Sequence, residues 1–163
     1  MKKKTVLLVI LTSCFLLNGC LDFILTVNRI VIPDTVEGVW EIDNERFEVR
    51  KKDDYWANVK PLKKGDKEET LGMTFHKING SLFACFTGWN RGEKVGFVMP
   101  IEIVNDKKVH FYQFEMSEED QATMLFDFTK PKEKTFLSLL KKGKITIDTS
   151  KPNTLNKVST LED

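Results

Sequence analysis

Val95, Phe97, Met99, Ile101 and Ile103 place five apolar residues at strict period two. Side chains of an extended chain point alternately to its two faces, so this run predicts a strand with one buried side. Pro100 falls within the run on the opposite face. It has no N–H to give a ladder, which predicts a sheet edge or a bulge at that point.

The same alternation recurs from Val36 to Glu115. Gly38-Val39-Trp40-Glu41-Ile42-Asp43 puts Trp40 and Ile42 on one face, and Asp43-Asn44 marks a tight turn. Phe47 and Val49 follow, then a turn at Lys51–Asp54, then Tyr55, Ala57 and Val59 on one face with Trp56 and Asn58 on the other. Lys63 to Glu69 is a charged loop, after which Leu71, Met73 and Phe75 resume the pattern. Asn79-Gly80 between apolar runs is a strong hairpin signal, with Leu82 to Phe86 as the return strand. Asn90–Glu93 is a loop and Asn105–Lys108 a turn, with Val109, Phe111 and Phe114 beyond. Seven consecutive strands joined by short turns predict an antiparallel meander, curled or closed into a barrel.

The pattern changes after Glu115. Ser117, followed by Glu118, Glu119 and Asp120, is a capping residue with acids in the first helical turn. Pro131 opens a second helix carrying Phe136, Leu137, Leu139 and Leu140, and Lys141-Lys142-Gly143 closes it. Lys144–Asp148 reads as a late strand. Pro152 then introduces a short closing helix over about 153–161, with Leu155, Val158 and Leu161 as contacts.

Gly38-Val39-Trp40 beside the first strand resembles the Gly-x-Trp of lipocalins and their calycin relatives, whose Trp packs across one end of the barrel. The resemblance implies a mainly β, calycin-like barrel with short C-terminal helices and a late strand. The order of motifs along the chain is similar to that of a widespread group of bacterial lipoproteins and exported proteins. That likeness implies fold and location and brings no activity with it.

Location is expected from the first twenty residues. Lys2-Lys3-Lys4 is followed by an apolar run from Val6 to Leu17 and then by Leu17-Asn18-Gly19-Cys20. A basic head, a short apolar stretch and a small residue before the cut form a secretory signal. The last four residues resemble the lipobox of bacterial lipoproteins, which implies cleavage after Gly19 and acylation of Cys20 with chains of the palmitate kind. The run is short for a bilayer span, which takes ~20 residues. The division expected is 1–19 signal peptide, 20–35 lipidated Cys and tether, and 36–163 a single β-rich domain. Leu21–Asp34 is apolar for a tether, so it packs on the domain or lies at the membrane surface. In a diderm cell, Leu21 after the Cys leans towards the outer membrane, facing the periplasm.

Without the three leader lysines the chain has 22 basic residues against 24 acidic ones. A nucleic-acid binder would carry a basic excess, so no nucleic-acid partner is expected. Cys14 leaves with the signal and Cys20 takes the lipid, so Cys85 stands alone and no intrachain disulfide can form. In the strand-like run 81–86 it reads as a buried, inert thiol. His76 and His110 have no second ligand at metal spacing, and no nucleophile elbow, P-loop or dinucleotide motif occurs. No enzyme, metal or cofactor is expected, and the domain is expected to be a monomer. The functional hint is aromatic: Trp40, Tyr55, Trp56, Phe75, Phe83, Phe86, Trp89, Phe97, Phe111, Tyr112 and Phe114 all fall in the β region. They fill a core, or some of them line a cavity for an apolar ligand. The functions expected are therefore an envelope-anchored binding or interaction module, a lipocalin-type carrier of a hydrophobic small molecule, or an inhibitor of an exogenous enzyme such as lysozyme.

Overall fold

In the computed structural model, residues 23–62, 70–90, 93–126 and 131–161 are described. The leader, Cys20, the stretch 63–69 expected as a charged loop and residues 91–92 lie outside them. Nine strands follow in chain order: β1 (Arg29–Ile30), β2 (Gly38–Ile42), β3 (Glu45–Asp53), β4 (Trp56–Pro61), β5 (Leu71–Ile78), β6 (Ser81–Asn90), β7 (Glu93–Asn105), β8 (Lys108–Met116) and β9 (Ile145–Ser159). Helices α1 (Glu118–Phe126) and α2 (Lys132–Lys141) separate β8 from β9.

Strands β2 to β9 pair antiparallel in the order β5-β4-β3-β2-β9-β8-β7-β6, and β6 pairs back onto β5. This is a closed eight-stranded calycin-like barrel, which leaves no continuous free edge. The tight turns follow from residues that tolerate positive φ. Asp43 and Asn44 stand at 49° and 65°, and Asn79 and Gly80 at 50° and 85°, as two-residue hairpins require. The extra strand β1 pairs with β5 at Arg29↔His76 and Ile30↔Phe75, just past the stretch that β4 covers.

Alternation divides the apolar residues between two cores. Trp40, Val49, Val59, Leu71, Met73, Phe75, Phe86, Phe97, Ile101 and Val109 face the lumen. Phe83, Cys85, Val98 and Phe114 face outward and are covered by Met124 of α1 and Phe136 and Leu139 of α2. Phe136 meets Phe83 and Phe114 edge-on at 5.9 and 5.6 Å. Ser117 caps α1 by accepting the Asp120 amide at 3.1 Å, and Asp120 also takes Lys144 at 3.1 Å, which pins the start of β9 to that helix.

Of the two readings of the segment before Val36, packing on the domain is the one observed. Phe23 and Leu25 join the outer core and Ile32 the inner one. The Leu25 amide donates to Cys85 Sγ at 3.3 Å, and Glu133 accepts from the Thr26 amide at 2.5 Å.

One expectation is corrected. The helix over 153–161 is strand: β9 runs unbroken to Ser159 and closes the barrel by pairing with both β8 and β2. Pro152 does not stop it, because 149–152 bulge out opposite a single residue between Phe111 and Gln113. Pro100 marks no bulge, but it does stand at a local edge, as expected. It sits in unbroken register opposite Phe83, and the ladder to β8 begins only at Ile101, so no N–H is wanted there.

Candidate functional site

The alternation that makes the strands also makes a hollow. The lumen holds a cavity of about 420 Å³. Its floor is Val36 and Trp40, at the end closed by the 3-10 turn Asp34–Val36. The Trp40 indole N–H donates to the Val36 carbonyl at 2.8 Å. The Lys157 ammonium lies 5.4 Å from the Trp40 ring centroid and donates to the Thr35 carbonyl at 2.8 Å. A polar side chain thus seals this end without leaving a donor unmet.

The walls come from facing strands. Phe86 and Phe97, opposite one another on β6 and β7, stack at 4.9 Å. Met73 and Met99 add unbranched side chains that adapt to an occupant. Ala84 contributes a short one, which is where space is left. Seventeen of the twenty lining residues are apolar, so only an apolar body gains by entering. The other three are Asp43, Glu45 and Asn153, around the turn between β2 and β3 and the neighbouring stretch of β9. They form a polar rim at the end opposite Trp40.

The aromatic residues singled out in the sequence part into two sets. Trp40, Phe75, Phe86, Phe97 and Phe111 line the cavity, whereas Phe83 and Phe114 stack at 6.1 Å beneath the helices. Trp56 lies outside over Gly72, where a Cβ would stand 1.9 Å from its ring. Tyr55 and Trp89 are exposed. Phe47, Met73, Met99 and Leu155 also line the cavity, and no sequence signal separates their side chains from ordinary core.

Neither histidine lines the cavity. His76 is fully buried on the outer face of β5. Its Nδ1–H donates to the Val27 carbonyl at 2.6 Å, and the Thr74 hydroxyl donates to Nε2 at 2.8 Å. Burial holds its pKa below the ordinary 6.5, so the ring is neutral. His110 faces outward beside Tyr112, whose hydroxyl donates to Glu102. That carboxylate pushes the phenol up to about 12. Burial likewise raises the Cys85 thiol, which keeps it from being a nucleophile. No group of three or more acidic, His or Cys side chains with metal-holding geometry occurs among the described residues.

Compared with known proteins, the chain matches no family model, no curated protein and no solved structure.

Proposed function

We propose that this chain is an envelope-anchored lipoprotein whose barrel binds an apolar small molecule, in the manner of a lipocalin-type carrier. The observation that carries the reading is the cavity. A volume of about 420 Å³ falls within the ~300–1,000 Å³ of small-molecule sites. Apolar walls and a few polar groups at one end are the pattern of a site that takes an amphiphile tail first. Asp43 at the rim would meet a carboxylate head with like charge, so the favoured ligand has a neutral or cationic head. Anchoring rests on the sequence: the leader, its box and Cys20 stand in register.

The test is binding. Native mass spectrometry of the membrane-extracted protein should find a co-purified lipid, and a neutral fluorescent lipophile should be taken up and displaced by a long-chain alcohol or amine. Ala84→Trp fills the lumen from the wall and should abolish uptake while leaving the far-ultraviolet dichroism unchanged. Absence of both co-purified lipid and probe uptake would end the carrier reading. Mass spectrometry of the N-terminus tests the anchor, with acylated Cys20 expected and an unmodified terminus ending that part.

A further inference from the structure

The chain enters the outer core three residues after Cys20. Phe23 is buried against Phe136 of α2, ring centroids 5.1 Å apart, and it crosses β7 at Gly96. A Cβ on Gly96 would stand 2.6 Å from Ile24 Cγ1 and 3.3 Å from the Phe23 carbonyl oxygen, so only glycine lets the segment lie this close. Three residues of fully extended chain reach at most ~11 Å. An acyl anchor at Cys20, on which this inference rests, therefore leaves no slack, and the wall that carries Phe23 is held against the bilayer.

We propose that the exposed end of β6 and β7 at Trp89 and Lys94, with the exposed side of α2, docks on an anionic lipid surface. Trp89 shares the outward face of β6 with Phe83, Cys85 and Thr87, yet it is 70% exposed where they are buried. It stands two residues past Thr87, which lies opposite Gly96. That places it ~7 Å along the strand from the row where the N-terminal segment crosses. Lys94 is its partner on β7, with its ammonium 5.9 Å from the Trp56 ring. Indole rings and lysines at such a level suit the headgroup region, where each keeps its apolar body in lipid and its polar end in water. On the other flank, Thr135, Phe136 and Leu139 turn inward, while Lys134, Lys141, Lys142 and Lys144 are exposed. The stretch 132–144 has five lysines and one carboxylate, Glu133. That carboxylate is occupied by the Thr26 amide and hydroxyl. Lys144 is ion-paired with Asp120, so the exposed Lys134, Lys141 and Lys142 carry the positive charge that is complementary to an anionic leaflet.

The experiment uses the full chain, expressed with its leader and reconstituted in phosphatidylethanolamine–phosphatidylglycerol vesicles with brominated acyl chains. Tryptophan emission of the wild type minus that of Trp89→Phe isolates Trp89 from the buried Trp40 and half-buried Trp56. A blue-shifted Trp89 signal, quenched by bromolipid and protected from aqueous iodide, is expected. The Lys134→Glu/Lys141→Glu pair should reduce that quenching. A Trp89 signal that ignores bromolipid and is fully open to iodide would overturn the docking, leaving the face for a protein partner. Quenching unchanged by the lysine pair would overturn its electrostatic part. N-terminal mass spectrometry on the same samples separates the two readings. Acylated Cys20 with water-exposed Trp89 removes the docking alone, and an unmodified terminus with quenched Trp89 removes the anchor alone. An unmodified terminus with unquenched Trp89 removes both.

Discussion

Trp40 is held from three sides. The strand aims it inward, the Val36 carbonyl takes its N–H, and the Lys157 ammonium covers its ring. Cutting a buried aromatic of this size back to Ala costs ~3–5 kcal/mol, against ~5–15 kcal/mol for a whole domain. Trp40→Ala should therefore lose a large share of the stability in denaturant unfolding. A shift below ~1 kcal/mol would match an exposed site instead. His76 gives a dependence on pH. Its folded pKa is depressed by burial, so below the ordinary value of 6.5 the unfolded chain binds a proton that the folded one refuses. Its contribution is intact above that value and is lost as the pH falls below it. Melting temperature should drop on acidification from pH 7 towards 5, and His76→Gln should flatten this part of the profile.

The N-terminal segment behaves as an element of the domain although it is mostly irregular. A chain begun at Val36 lacks Phe23, Leu25 and Ile32, all buried, and uncovers the β5 edge at Phe75 and His76. Its unfolding midpoint should fall well below that of a chain begun at Leu21, and Gly96→Val in the longer chain should reproduce part of the loss by pushing Ile24 away. Equal midpoints for the three would mean that the segment only rests on the surface.

The seven strands between Val36 and Glu115 were legible because one buried face imposes period two. The N-terminal segment was not, because Phe23 to Val27 packs without a period, its partners being a helix face and a glycine on another strand. The sequence at the end of β9 suggests a helix because Leu155, Val158 and Leu161 fit a helical spacing. Its true inward residues are Asn153, Leu155 and Lys157, two of them polar, since one borders the rim and the other caps Trp40. Polar residues at inward positions hide a strand wherever a barrel ends. The candidate site was half legible: alternation told which aromatics could face inward, but Ala84 decides how much room they leave, and no pattern reports a volume.

At the scale of the molecule, β6 and β7 are a party wall. Their inner faces line the cavity through Ala84, Phe86, Phe97 and Ile101, and their outer faces carry the helices through Phe83, Cys85 and Val98. A change of packing on either side is felt on the other, because close-packed strands have little room to yield. Closure of the barrel has a consequence in time. Val39 pairs with Ser159 and Trp40 with Lys157, so the first barrel strand waits for the last. Hairpins such as β5–β6 can form as soon as their residues exist, but the ring cannot, and pairings so distant in sequence are slow to find one another. A chain still being made, or one cut short before β9, has walls without an inside. The chamber comes into being only once β9 has joined both β2 and β8.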